Sequence, residues 1–298
     1  MNLFSDLYAY LPSEIAKGLQ NEIYAHITEL RITINKPVIV SDGNQTTYFV
    51  SSDGKEIQVS KEMMNYITER LTGGSFYSVK ENIKEGFVTV HGGHRVGICG
   101  TAVYDDNASF HIRNISSLCF RVAREVRGCA EKIVRELFVK GRLCNVLIAS
   151  PPGCGKTTVL RDICRILSTG ENGRTIYKVG IADERGEIAG TYHDKTAFDV
   201  GKASFVCSGY PKDMAMNSML RAMSPDIIAT DEIGTPEDFD AIRNILKCGV
   251  NVVATAHAGS ISDIENKFGN ELRSFDKIVF LQGRGNVLNI YRRDKDDY

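Results

Sequence analysis

The stretch that most constrains the fold is IASPPGCGKTTVL, which runs from Ile148 to Leu160. An apolar strand pattern leads into a glycine-containing loop, and a helical pattern follows. A phosphate-binding loop needs this order, because backbone N–H groups must converge on an anion at a helix N-terminus. Ser150 stands where the first glycine of that pattern is expected, and we expect only a modest perturbation. The flanking patterns disfavour the alternative, an unrelated turn ending in Gly-Lys-Thr.

The loop supplies the parts that nucleotide binding requires. Gly153 and Gly155 let the backbone close around an anion without an obstructing Cβ. Lys156 would reach the outer phosphates, and the Thr157 hydroxyl would ligate Mg²⁺. The residues expected to bind ATP are Pro152, Gly153, Cys154, Gly155, Lys156, Thr157 and Thr158.

A second motif, IIATDE, is an apolar strand that ends in two acids. Asp231 is expected to hold the magnesium ion, and Glu232 to orient or deprotonate the attacking water. Acids at strand ends often only meet solvent, so the motif is weak alone. Because IIATDE follows the phosphate loop in the sequence, with strands between the two motifs, it favours nucleotide hydrolysis.

Two further stretches would end at the same carboxyl edge of a parallel sheet. IADERGEIAG places Asp183, Glu184, Arg185 and Glu187 there, and VVATAHAGS adds Thr255 and His257. His257 would sense the terminal phosphate, or it makes only local hydrogen bonds. The acidic stretch is a functional cluster or a salt-bridged loop. The residues alone leave both pairs of alternatives open.

The character of the chain changes near residue 140. After residue 143, strands alternate with helices, which predicts an α/β core with right-handed crossovers. Before residue 140, alternating segments and glycine turns predict a strand pair around residues 35–37, a hairpin turning at residues 53–54, and a helix capped by Ser60 that ends at residues 73–74. A helix is predicted over residues 130–140. HGGHRVGICG is either a water-facing hairpin tip, which we favour, or a turn presenting His94 and Arg95.

Composition narrows the function classes. The 36 basic and 37 acidic residues nearly cancel, which argues against a dedicated nucleic-acid binder. No apolar run approaches the roughly 18 residues that span a bilayer. The N-terminus lacks a basic segment typical of a secretory signal. None of the eight cysteines lies in C-x-x-C spacing, so we expect reduced thiols in the cytoplasm.

Taken together, the phosphate loop, DERGEIAG, NSMLRAMSPDIIATDEIG and GVNVVATAHAGS resemble the stage III sporulation protein AA family. ITELRITINKPVIV and EGFVTVHGGHRVGICGTAV match its first half, so the resemblance spans nearly the whole chain. That family is similar to type II and type IV secretion ATPases. The resemblance implies a smaller α+β domain over residues 1–128 and a RecA-like P-loop ATPase core over residues 129–298.

The resemblance also implies a cytoplasmic ATPase of endospore formation that assembles into a homo-oligomer, expected to be a hexamer. Its membrane association would be peripheral, through an integral-membrane component of a secretion-like channel, with no nucleic-acid partner. Counterparts of DERGE and TAHA in secretion ATPases are tied to hydrolysis, which favours catalytic roles for Glu184 and His257 beside Glu232 and Lys156.

The chain departs from secretion ATPases where they carry Gly-Glu, since it has Asp231-Glu232. It has Gly234 where they often carry arginine, so an arginine acting across a subunit boundary must come from elsewhere. The candidates are Arg113, Arg121, Arg124 and Arg221. Two other functions remain alternatives: a P-loop kinase or other phosphoryl transferase, and a nucleotide-gated binder of single-stranded nucleic acid.

Overall fold

The computed structural model describes residues 5–73, 86–104, 110–192, 195–283 and 285–292. Contacts divide the chain into two compact units. The first comprises Met1–Arg124 with Tyr192–Ala197, and the second comprises Glu125–Thr191 with Phe198–Tyr298. A domain boundary after residue 128 stays a proposal. Of the helix end predicted at residues 73–74, Gly74 lies outside the described residues.

The first unit is an antiparallel sheet with helices. Its described strands are β1 (Glu29–Thr33), β2 (Ile39–Ser41), β3 (Thr46–Tyr48), β4 (Phe87–Val90), β5 (His94–Tyr104) and β6 (Phe110–Arg121), and its α-helices are α1 (Ser13–Gly18) and α2 (Lys61–Thr72). The strands follow the order β3-β2-β1-β6-β5-β4. Apolar side chains from the sheet and both helices form one core, in which Phe49 and Phe120 are fully buried.

Local signals in the first half predict its elements well. The Ser60 hydroxyl accepts a hydrogen bond from the Met63 N–H and so caps α2. β1 and β2 pair across the turn at residues 35–37, as predicted. The turn predicted at Asp53-Gly54 forms too, but beyond it the hairpin pairs only through an isolated bridge between Val50 and Glu56.

The second unit is an α/β fold. Its strands are β7 (Phe138–Val139), β8 (Arg142–Leu143), β9 (Val146–Ser150), β10 (Val179–Asp183), β13 (Ser204–Ser208), β14 (Ile227–Thr230), β15 (Asn251–His257), β16 (Lys277–Gln282) and β17 (Asn286–Arg292). Two short strands, β11 (Thr191–Tyr192) and β12 (Lys195–Thr196), come between β10 and β13 in the sequence and pair with each other, and β12 lies in the segment assigned to the first unit. Its helices are α3 (Glu131–Glu136), α4 (Lys156–Thr169), α5 (Lys212–Ala222), α6 (Pro236–Lys247) and α7 (Ile261–Phe268).

The main sheet has the order β13-β10-β14-β15-β9-β16-β17, and every pair except β16–β17 is parallel. β9, β10 and β14 are buried along their whole length, as expected for parallel strands covered on both faces. Parallel strands end together, so the loops after β9, β10, β14 and β15 meet at one edge.

Two predicted elements of this unit differ from the structure. The helix expected over residues 130–140 ends at Glu136, and the rest of that stretch enters a hairpin of β7 and β8 that turns where Lys140 and Gly141 adopt left-handed conformations. The sequence TIYKVGIADE is typical of a strand over its whole length, but only Val179–Asp183 forms one. TPEDFDAIRNILKCG predicts a helix that Thr235 caps, and the structure agrees: Thr235 and Asp238 form a reciprocal capping box, with Pro236 in the first turn.

In the described part of the chain, no helix combines the length and apolar character needed to cross a membrane. All eight cysteines are free thiols.

The structure buries His94 rather than presenting it at a hairpin tip. The residue opens β5 and is 2 % exposed, and its Nδ1 accepts a hydrogen bond from the Ala123 N–H at 3.0 Å. Burial is the main reason that the pKa of His94 falls to about 4.

We therefore expect His94 to make stability depend on pH. An unfolded histidine has a pKa of about 6.5, so between that value and the folded value only the unfolded chain binds the proton. The free energy of unfolding is unaffected above the unfolded pKa. It falls by up to about 3 kcal/mol as the pH drops to the folded pKa. Urea unfolding followed by circular dichroism at several pH values would measure this.

His94→Asn is the matched variant, because its amide oxygen keeps an acceptor for Ala123 but does not titrate. His26→Asn removes an exposed histidine from the same unit and should leave the acid sensitivity of the wild type unchanged. Equal losses of stability on acidification in wild type and His94→Asn would contradict the prediction.

Candidate active site

The phosphate loop lies between β9, which ends at Ser150, and α4, which begins at Lys156. Gly153 and Gly155 have φ values of 74° and 88°, in the left-handed region that glycine adopts without strain. The first turn of a helix carries backbone N–H groups without intrahelical partners. The residues predicted to bind nucleotide therefore form one loop and helix start whose chemistry suits an anion.

The Lys156 ammonium is surrounded by acceptors. Its Nζ lies 3.1 Å from the Ser150 carbonyl oxygen, 3.2 Å from the Pro151 carbonyl oxygen and 2.9 Å from His257 Nδ1. A protonated lysine only donates, so His257 Nδ1 accepts and its Nε2 carries the ring proton. Burial lowers the pKa of Lys156, while the charges of Asp231 and Glu232 oppose that shift.

Ser150 fits the position where glycine was expected. It pairs in register with His257 of the neighbouring strand β15 and is not among the residues with positive φ. Its hydroxyl donates to the Pro151 carbonyl at 2.8 Å and accepts from Lys156 Nζ at 3.2 Å. No conformation that requires glycine occurs there, and the serine adds a contact to the lysine.

Asp231, directly after β14, joins the neighbouring strand β15 to α4. One carboxylate oxygen accepts from the Thr157 hydroxyl at 2.6 Å. The other accepts from the Thr255 hydroxyl and from the Glu232 N–H. The predicted magnesium ligands Thr157 and Asp231 are thus in direct contact.

Glu232 adopts a left-handed conformation with φ 51°, which costs a non-glycine residue about 1–2 kcal/mol. Its carboxylate contacts His257 Nε2 at 2.8 Å and Arg185 at 2.6 Å. Burial raises its pKa, but the hydrogen bond from His257 and the charges of Arg185 and Lys156 outweigh burial and lower it overall. A lowered pKa keeps Glu232 ionised and able to accept a hydrogen bond or proton.

The acidic loop after β10 contains residues that contact the other loops of the site and a residue with only a local role, so both alternatives that the sequence left open occur in it. Arg185 pairs with Glu232, and the Glu184 carboxylate lies 3.6 Å from the Lys212 ammonium. Asp183 is buried and has a local role, since its two oxygens accept from the N–H groups of Ile188 and Ala189.

Buried Arg161 of α4 holds the same loop from its other side. Its guanidinium donates to the carbonyls of Glu187 and Ile188 at 2.6 Å each and stacks over the Phe198 ring at 3.7 Å. The loop that carries Arg185 is therefore fixed both through its N–H groups and through its carbonyls.

The arginines proposed to act across a subunit boundary differ in their exposure and contacts. Arg124 donates to the carbonyls of Ala25 and Ile27, which is a packing role. Arg121, at the end of β6, and Arg221, on α5, are exposed. The side chain of Arg113 lies outside the described part.

Sequence reasoning missed Lys212 and Arg161. Lys212 opens α5, a helix that the local pattern did not delimit, and Pro211 at its N-cap was the available signal. Arg161 lies in the predicted helix of the phosphate loop. An arginine on a buried helix face was the signal there, because such a charge requires partners.

The strand order, the phosphate loop and the acids after β14 define a RecA-like P-loop ATPase fold. Among solved structures, the pilus retraction motor PilT with bound ADP matches with a TM-score of 0.63 at 12% identity, covering 96% of this chain and 84% of that one. The Legionella pneumophila ATPase DotB matches with a TM-score of 0.57 at 14% identity, covering 85% and 72%. At such identities these matches establish the fold.

Sequence comparison then gives the family. The model of the family described as sporulation stage III, protein AA matches residues 4–296. Stage III sporulation protein AA of Bacillus subtilis (strain 168) is 36% identical over 300 aligned positions, covering 97% of this chain and 95% of that protein. The chain belongs to the stage III sporulation protein AA family.

We expect Asp183→Asn to loosen the loop after β10. The amide keeps one acceptor but directs an NH₂ group at a backbone N–H, so a buried donor loses its partner at a cost of about 1–3 kcal/mol. Hydrogen exchange should accelerate at Ile188 and Ala189, and urea unfolding should report the lost stability.

Asp226→Asn is the matched control, because Asp226 also accepts from a backbone N–H, that of Lys178, but is exposed to water. It should change stability by less than about 0.5 kcal/mol. Unchanged hydrogen exchange at Ile188 and Ala189 in Asp183→Asn would contradict the inference that the Asp183 carboxylate holds this loop.

Proposed function

We propose that this chain is the ATP-hydrolysing motor of a secretion-like channel in endospore formation, coupling hydrolysis in a homo-oligomer to work on a membrane partner. The observation that carries the hydrolysis proposal is the hydrogen-bonded series Lys156–His257–Glu232–Arg185. It connects the residue expected to contact phosphate with the carboxylate expected to act on water.

The donor chemistry at Thr157 and Asp231 fits Mg²⁺. A hydroxyl and a carboxylate oxygen lie 2.6 Å apart at the N-terminus of α4, and oxygen ligands are those that Mg²⁺ prefers. When bound, Mg²⁺ supplies positive charge that neutralises the phosphate oxygens of ATP. Thr157 and Asp231 would hold it from the protein side.

The remaining roles follow from what each group can do. Lys156 has three protons to donate and would direct them to the outer phosphates in exchange for its present carbonyl partners. Glu232, kept ionised, would orient the attacking water or accept its proton. His257 contacts both Lys156 and Glu232. A movement of the Lys156 ammonium would therefore reach the Glu232 carboxylate through the imidazole ring.

The oligomer and the membrane partner are proposed on the family and on the fold. PilT is described as a retraction motor and DotB as an ATPase, and we propose a hexamer with nucleotide between neighbouring copies. Arg121 and Arg221 are the exposed candidates for an arginine acting across that boundary. We place the protein on the cytoplasmic side, held at the membrane by an integral-membrane component of the channel.

Lys156→Ala should abolish turnover of ATP. Loss of one charged donor that acts in the transition state costs about 10²–10³ in rate, so phosphate release with Mg²⁺ should fall at least that far. Lys202→Ala, which removes an exposed lysine, should retain the wild-type rate. Circular dichroism should show both variants folded.

Full phosphate release by folded Lys156→Ala would defeat the proposal. A phosphorylated small molecule in place of free phosphate would favour the kinase alternative. Salt-sensitive binding of an oligonucleotide would favour the nucleic-acid alternative, because phosphate contacts release counterions.

Specific activity should rise with protein concentration, because a site completed by a neighbouring copy needs assembly. Phosphate release measured over a dilution series, beside mass in solution with and without ATP and Mg²⁺, tests this. Specific activity that stays constant while the mass stays that of one chain would contradict the oligomer but leave hydrolysis standing.

A further inference from the structure

Lys212 is the basic residue that joins the loops around Glu232. It opens α5, and its side chain is only 14% exposed. Its Nζ donates to the Glu232 carbonyl oxygen at 2.7 Å. This bond is to the backbone of Glu232, whereas Arg185 and His257 contact its carboxylate.

The backbone of Glu232 is held at both ends in its left-handed conformation. Its N–H reaches the Thr255 hydroxyl at 2.9 Å and an Asp231 carboxylate oxygen at 3.1 Å. The next N–H, that of Ile233, donates to the Thr255 carbonyl. β15 thus secures the N–H side of the turn, and Lys212 secures the carbonyl of Glu232 from α5.

Two carboxylates hold the ammonium over this turn. Glu184 Oε2 lies 3.6 Å from Lys212 Nζ, and Asp238 Oδ2 lies 3.8 Å away. Asp238 also accepts from the N–H groups of Gly234 and Thr235, so it belongs to the far end of the same turn. Lys212 therefore contacts the Glu232 carbonyl where the turn begins and the Asp238 carboxylate, which binds the N–H groups where the turn ends.

We propose that Lys212 is a positioning residue that keeps the Glu232 backbone left-handed and thereby aims its carboxylate; this rests on the proposed hydrolysis. A non-glycine residue relaxes from that conformation when its backbone contacts are lost. Relaxation of φ would swing the Glu232 side chain away from His257. The chemical step would slow, while the phosphate loop, which Lys212 does not contact, would bind nucleotide as before.

The test compares Lys212→Met with Lys212→Arg. Methionine retains the apolar stem without a donor or charge, and we expect phosphate release at saturating MgATP to fall about 10- to 100-fold, as for a misplaced catalytic group. The affinity for MgADP, measured by calorimetry, should stay at the wild-type value. Arginine retains a charged donor and should recover most of the rate. Lys247→Met, which removes an exposed lysine from the last turn of α6, is the matched control.

A double-mutant cycle with Glu232→Gln separates positioning from a general effect on the unit. If Lys212 acts through the Glu232 carboxylate, Lys212→Met should hardly lower the residual single-turnover rate of Glu232→Gln. A reduction as large as in the wild-type background would overturn the proposal.

Other results would also overturn it. These are a wild-type rate in Lys212→Met, a loss of MgADP affinity that matches the loss of rate, and failure of Lys212→Met to fold, since the lysine would then serve binding or the fold. Failure of the proposed hydrolysis looks different, because then neither the wild type nor Lys247→Met releases phosphate from ATP.

Discussion

The arrangement of the site depends on the hydrogen bonds accepted by one carboxylate, that of Asp231. It binds the Thr157 hydroxyl of α4 through one oxygen and the Thr255 hydroxyl of β15 through the other. The strand order places β15 between β14 and β9, so these bonds draw the acid toward the phosphate loop across an intervening strand. They add a second connection, beside the contacts of His257 with Lys156 and Glu232, between the residues expected to bind phosphate and those expected to act on water.

The position of the Glu232 carboxylate depends on a backbone conformation that costs free energy. Its left-handed backbone is unfavourable alone, but two strand ends and the start of α5 each supply a contact that holds it. Arg185, although exposed, meets its carboxylate because Asp183 and Arg161 fix the loop that carries it. Groups held in advance need little reorganisation during a reaction, which is the condition under which charges contribute most to a rate.

The sequence predicts the parts of this site that depend on local patterns and misses those that depend on tertiary pairing. The phosphate loop, Asp231 and Glu232 follow from residue type and spacing, because each motif carries its own chemistry. The open question about His257 needed the structure, since only a contact shows that its ring joins Lys156 to Glu232. In the fold, β13 and α5 were not delimited for the same reason: β13 is an edge strand, half-buried throughout, and lacks the continuous burial of β9.

The serine at position 150 shows how a departure from a motif can be neutral for the fold and still matter to the site. The first glycine of a phosphate loop is dispensable where the backbone stays extended, and Ser150 of β9 pairs with His257 of β15 as an ordinary strand residue. Its hydroxyl bridges the Pro151 carbonyl and the Lys156 ammonium. Four acceptors then surround three ammonium protons, so phosphate oxygens must compete with protein atoms for this lysine. The residue that departs from the motif therefore contributes to how firmly the lysine is held before it meets a ligand.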